Sequence, residues 1–210
     1  SRAGTGRLEL EVTDLAFNDA SGRFAAEGIV ARTVADLSRA AGAPWQIHLE
    51  SGIGAGGVYA EPVYLDFSSY PLALTATIGA DPAAGRLHVS RFTVEQPELA
   101  RLSGSLLAAR GQPLARLSLA VERAALPGAY DAWLQGALVG TPFGRLDVAG
   151  DVVGRLEVVD GSPVRFEARL DSLDLEDRDG RFALYGAAGE VHWQRDTEAA
   201  PDSRLTFDGG

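Results

Sequence analysis

The sequence predicts an all-β fold: a long, curled, mostly antiparallel sheet with one or two short helices. Three observations predict it. Apolar and polar residues alternate with period two in one run after another. A Gly-Arg pair followed by Leu or Phe punctuates the chain six times, opened by Gly6, Gly22, Gly85, Gly144, Gly154 and Gly180. The alternation also slips by one residue at recurring places, as β-bulges require.

The elements follow in order. In Arg7–Val12, Leu8, Leu10 and Val12 share one face and Glu9 and Glu11 the other, which describes a half-buried strand. Thr33-Val-Ala-Asp36 fits a capping box, closed by Gly42 and Pro44. A helix near 34–41 therefore competes with a continued strand. Trp45, Ile47 and Leu49 alternate again, as do Leu72, Leu74, Ala76 and Ile78. RLHVSRFTV (86–94), LARLSLAV (114–121) and VRFEARLDSLDL (164–175) repeat the pattern. Pro127–Leu138 carries Tyr130, Trp133, Leu134, Ala137 and Leu138 at helical spacing, with Pro in the first turn, and predicts a short amphipathic helix. In Arg145–Val159, Leu146, Val148, Val152, Leu156 and Val158 share a parity, with Gly150 and Gly154 in the remaining inward positions. That is one strand of about 50 Å, or two strands with a kink.

A longer unit also recurs. Leu15–Ala25 (LAFNDASGRFA) matches Leu173–Ala183 (LDLEDRDGRFA). Each follows a phase slip, Val12 to Leu15 and Leu170 to Leu173, and Val89 to Phe92 slips likewise. Recurring bulges bend a sheet, so a curled one is expected. Most of the Gly-Arg pairs read as turn-to-strand junctions: glycine takes positive φ without strain, arginine faces water and the next residue faces inward.

Composition narrows the function classes. The 210 residues carry a formal net charge of -10, which disfavours nucleic acid and simple docking on anionic headgroups. There is no Cys, so no disulfide, thiolate metal site or cysteine nucleophile. No run of about 18 apolar residues is present to span a membrane as a helix. No composition shift marks a domain boundary, so residues 1–210 read as a single segment. Beginning SRAGTG and ending in a strand-like RLTFDGG, it is expected to belong to a larger protein.

Motifs that resemble chemistry fail on context. SGIGAGG (51–57) contains G-x-G-x-x-G, but a dinucleotide loop needs a helix behind it, and VYAEPVYLDF alternates and holds Pro62. The glycines are expected to form a hairpin turn. DLEDRDG (174–180) matches part of a calcium loop, with Gly186 where the bidentate Glu belongs, and reads as a solvated turn. His48, His88 and His192 sit at outward strand positions without paired spacing. No nucleophile motif is present, so no enzyme, cofactor or metal is expected.

An apolar-faced curled sheet can close as a barrel, face lipid, or stay open as a groove. GVYAEPVYLDF, YPLALTATI, GRLHVSRFTVEQP, AYDAWLQGALVGTPFGRLDVAGDVVGRLEV and LDSLDLEDRDGRFALYGAAGEVHW resemble the repetitive β region of the AsmA-like, TamB and YdbH proteins. The likeness covers most of the chain and lies in its texture of G-R-L openers, phase slips and D-G-R-F-A turns. It implies a U-shaped sheet with an open hydrophobic groove. It further implies one segment of a bacterial periplasmic bridge, anchored in the inner membrane, that passes phospholipid between inner and outer membranes. Adjoining segments of the same bridge and inner- and outer-membrane proteins would be its partners. The residues expected to line the groove are Leu87, Val89, Phe92, Val94, Val164, Phe166, Leu170, Leu173, Leu175, Phe182 and Leu184. The alternative is a non-catalytic envelope scaffold or binding module with a closed β-barrel or β-sandwich core.

Overall fold

A computed structural model describes residues 3–195 and 202–208. Period-two alternation becomes strand almost throughout. The strands are β1 (Gly4–Asn18), β2 (Phe24–Arg39), β3 (Trp45–Ala60), β4 (Val63–Asp66), β5 (Leu72–Asp81) and β6 (Arg86–Gln96). They continue with β7 (Ala100–Ala109), β8 (Gln112–Leu126), β9 (Leu146–Val159), β10 (Ser162–Asp177), β11 (Ala183–Gln194) and β12 (Arg204–Asp208). All belong to one antiparallel sheet in which spatial order follows sequence order, except that β4 hangs on the lower end of β3. β1 and β12 are its two edges, so the sheet is not closed into a barrel. Among the described residues no helix is long and apolar enough to cross a membrane.

The phase slips are bulges. Register shifts fall between Val12 and Leu15, between Leu170 and Leu173, and between Val89 and Phe92. In both copies of the repeated unit the extra residue takes positive φ, Asp14 at 60° and Ser172 at 49°. The turns that follow are wired alike. Asp19 N–H donates to the Phe24 carbonyl and Gly22 N–H to the Asp19 carbonyl; Asp177 and Phe182, then Gly180 and Asp177, repeat this pattern. The repeat read in the sequence is thus a repeated hairpin, β1–β2 on one flank and β10–β11 on the other.

One expectation is corrected, and two alternatives that the sequence left open are decided. The SGIGAGG glycines lie inside β3, not in a hairpin turn. Ile53 and Ala55 carry the alternation through them, and the chain reverses at Glu61–Pro62 instead. Gly6 and Gly154 also lie inside strands, whereas Gly22, Gly85 and Gly180 do sit at turns with positive φ. The capping box at Thr33–Asp36 is strand, because Thr33, Ala35 and Leu37 each meet partners on both β1 and β3. Arg145–Val159 resolves into the single strand β9.

Gly56 shows why a bulge needs glycine. Its φ is 95°, and a Cβ there would lie 2.5 Å from the Gly28 carbonyl oxygen, itself at a bulge of β2. Replacing Gly56 with Ala is expected to destabilise the protein by about 3 kcal/mol in urea unfolding. A loss below about 1 kcal/mol would mean the bulge pair relaxes freely.

The predicted helix forms as a π-helical turn, Tyr130–Leu134, running into an α-helical turn, Gln135–Leu138. The wider first turn, with Gln135 N–H on the Tyr130 carbonyl, rotates the expected face. Tyr130 is buried while Leu134 turns to solvent. β5 to β7 are shorter than their neighbours, and this helix with β4 fills the space beneath them. Trp133 Nε1 donates to Gln96 Oε1 at 2.9 Å, and Gln96 Nε2 donates to the Tyr70 carbonyl at 2.8 Å. The Tyr130 hydroxyl donates to the Phe143 carbonyl and accepts the Leu146 N–H.

Candidate functional site

The register turns the alternation into two continuous faces. Leu8, Ala35, Leu49, Ala76, Phe92, Gly104, Leu119, Leu156, Phe166 and Trp193 pair in succession across ten strands, and every one is apolar. The parallel row from Leu10 to Val191 contains two polar residues, Thr33 and Ser51, whose hydroxyls hydrogen-bond each other at 2.8 Å. One step along each strand the face reverses. Glu9, Val34, Glu50, Thr75, Thr93, Ser103, Ala120, Arg155, Glu167 and His192 form the matching outward row.

The polar face is laced by ion pairs between neighbouring strands. Arg7 meets Asp36, Arg32 meets Glu9 and Glu11, Arg101 meets Glu95 and Glu122, and Arg123 meets Asp151. The Arg32 hydrogen bond, followed by its charge, holds the Glu9 carboxyl below its ordinary value. These pairs are well exposed and each contributes little on its own. Their sum makes this the water-facing side. The three histidines belong here. His48 Nδ1 lies 3.3 Å from the Thr77 hydroxyl, and His192 sits between Glu167 and Glu190.

Among the described residues, the apolar face is covered by packed clusters at its lower end. There Phe67 packs with Ala26 and Ile29, and Tyr130 packs with Leu146, Val148, Leu173 and Ala187. Elsewhere its side chains are mostly half-buried, and toward the edges they are exposed: Leu8 58%, Leu10 52%, Phe17 50% and Phe207 51%. The whole chain exposes 13076 Å², whereas a compact monomer of 22.1 kDa exposes roughly 9,300 Å². That excess marks a sheet that does not fold onto a closed core.

The residues read as groove lining fall on this face in two groups. Leu87, Val89, Phe92 and Val94 lie on β6, kept on one side by the bulge between Val89 and Phe92. Phe166, Leu170, Leu173 and Leu175 lie on β10, with Leu184 of β11 opposite Leu175. Val164 sits at a register shift near the upper end of β10. Phe182 lies in the turn before β11, and its carbonyl accepts the Asp177 N–H. The groups do not touch as neighbours, because β7, β8 and β9 lie between them. The sequence reading missed the contributions of those strands and of β1 to β5, although Leu49, Leu119 and Leu156 carry the same period-two signal.

DLEDRDG is less solvated than its composition suggests. Asp177 is 1% exposed and receives Arg181 Nε at 2.7 Å, an Arg181 Nη at 2.6 Å and the Arg181 backbone N–H at 2.9 Å. Arg181 also donates to the Pro142 carbonyl, tying the β10–β11 turn to the loop ahead of β9. With its oxygens so engaged, Asp177 is an anchor. Among the described residues no cluster of three or more His, Asp or Glu side chains is placed to hold a metal ion.

The arrangement presents an apolar face on one side of the sheet and a polar, ion-paired face on the other. Comparison of the chain with protein-family models, with curated proteins and with solved structures gives no match.

Proposed function

We propose that this chain is a non-catalytic segment of a periplasmic lipid-transfer bridge, whose apolar face shields phospholipid acyl chains between inner and outer membranes. The observation that carries this reading is the unbroken apolar row from Leu8 to Trp193 on a sheet that stays open. Burying hydrocarbon against such a row contributes about 0.8 kcal/mol per CH₂, without directional groups that would stop a chain from sliding. The rows run from the β1 edge as far as β11 without a charged residue, and adjoining segments of the same bridge would extend the sheet. Its place is the bacterial periplasm, with membrane proteins as terminal partners.

The test is native mass spectrometry of the purified chain, with extraction of any bound lipid. Heterogeneous phospholipid is expected to co-purify, and the lipid-free chain is expected to take up a fluorescent phospholipid. A lipid-free mass with no uptake removes the reading.

A further inference from the structure

Most arginines of the polar face have an acid as partner or as cross-strand neighbour. Arg7, Arg32, Arg101 and Arg123 form the ion pairs described above. Arg155 and Arg169 stand opposite Glu167 and Glu190 in the register. Arg116 departs from this, since its cross-strand neighbours are Leu107 and Val159. It ends a row in which Gln46, Gly79, His88, Leu107 and Arg116 lie side by side on β3, β5, β6, β7 and β8. The row stands one residue away from Ile47, Ile78, Val89, Leu106 and Leu117 of the apolar face, so it points to the opposite side of the sheet. Arg86 precedes His88 by two residues on β6 and shares its side.

These side chains surround a cleft of about 530 Å³, lined by Gln46, Arg86, His88, Ser105, Leu107 and Arg116. Gly79 leaves its floor open, and a Cβ there would stand 3.6 Å from the Gln46 amide nitrogen. Among the described residues, Arg86, His88 and Arg116 have no ion-pair or side-chain hydrogen-bond partner. The acid of the cleft is Asp81, opposite Arg86, and its carboxylate already accepts the Ala84 N–H. Two guanidiniums therefore face one carboxylate, in a chain whose net charge is -10. Leu107 adds an apolar wall, 37% exposed on the otherwise polar side.

These features define a ligand class. Guanidinium is the side chain best suited to clasp a phosphate, and Arg86 and Arg116 approach the cleft from strands two steps apart, roughly 10 Å. His88, Gln46 and Ser105 supply neutral donors for the remaining oxygens. Leu107 and the space over Gly79 leave room for a compact apolar body. The volume falls within the roughly 300–1,000 Å³ usual for small-molecule sites.

We propose that the cleft over Gly79 binds a small organic phosphomonoester, its phosphate held by Arg86, His88 and Arg116 and its body against Leu107. The site lies on the face opposite the groove and does not rest on the groove reading.

The experiment is isothermal titration calorimetry of the purified chain with phenyl phosphate at neutral pH and low salt. The native chain is expected to bind it with a Kd of about 0.3 mM, and phenol is expected to give no binding heat. R86Q/R116Q is expected to weaken binding at least about tenfold. G79V, which keeps both arginines but fills the floor, is expected to do the same, and a thermal melt confirms that each variant is folded. A native chain that binds no phenyl phosphate up to about 10 mM overturns the proposal. So does an affinity that survives in either folded variant. Inorganic phosphate binding as tightly as phenyl phosphate also overturns it, because Leu107 and the open floor would then contribute nothing. The same phosphate chemistry occurs on a lipid head, so phosphatidylcholine vesicles containing phosphatidic acid are titrated alongside. Vesicle binding is expected to be the same for the native chain and R86Q/R116Q. Vesicle binding that needs the two arginines and exceeds that of phenyl phosphate would assign the cleft to a lipid head and overturn the soluble ligand.

Discussion

Phospholipid loading is expected to fall more than tenfold when Phe92 and Phe166 are both replaced by Asp. The two rings stand on the same cross-strand row, four apart in strand order along β6, β7, β8, β9 and β10. Phe92 leans over Gly104, where an added Cβ would meet its ring at 2.8 Å, and Phe166 is 40% exposed. A carboxylate at either place lies under an acyl chain with no partner on the face, and an unpaired buried charge is strongly unfavourable. Thr93 supplies the control, since Thr93→Asp puts the same charge on the opposite row. Uptake of a fluorescent phospholipid, read beside circular dichroism, decides the matter. Loss with Thr93→Asp and retention with the double variant would place the lipid on the wrong side of the sheet.

The second large effect concerns stability. Asp177→Ala is expected to lower the melting temperature by about 10 °C at neutral pH. It leaves the Arg181 guanidinium without its carboxylate and loosens the tie to Pro142. The same contact gives an acid dependence. The Arg181 hydrogen bonds hold the Asp177 carboxyl far below the ordinary carboxylate range. A group with a lowered folded-state pKa contributes fully above its unfolded value, near 4, and its contribution is lost as pH falls toward the folded value. The native melting temperature should therefore drop as pH falls below about 4, and the drop should be shallower in Asp177→Asn. Parallel pH curves for the two proteins would show that the pair adds nothing to folding.

The parts of the fold that were legible are those set by local sterics and alternation. The bulges were readable because a phase slip such as Val12 to Leu15 would otherwise turn an apolar side chain to water. The repeated hairpin was readable because turn wiring depends on a few fixed residues around Asp19 and Asp177. SGIGAGG was misread because glycine permits a turn but does not require one. Ile53 and Ala55 kept the strand going once partners stood on both sides. Asp177 was misread because an acidic loop says nothing of which carboxylate will find an arginine. The π-turn that rotates Leu134 outward left no mark in the helical spacing. On the candidate face, the alternation within β6 and within β10 could be followed through their bulges in the sequence. Which strands lie between them depends on strand order, and a period-two pattern is blind to order.

Strand order following sequence order has a consequence for change of length. Each strand of the main path exchanges hydrogen bonds with its neighbours along that path, and β3 also with β4. Stability then behaves as a sum of nearest-neighbour terms, as in solenoid repeats. Inserting or deleting a whole hairpin would move the apolar stripe by two strand widths, roughly 10 Å, and leave every remaining side chain on its own face. A single added strand would reverse the chain direction of all that follows. The molecule is thus a ruler graduated in hairpins, and the LxLxDxDGRFA-like unit at both flanks has the form such a graduation would take.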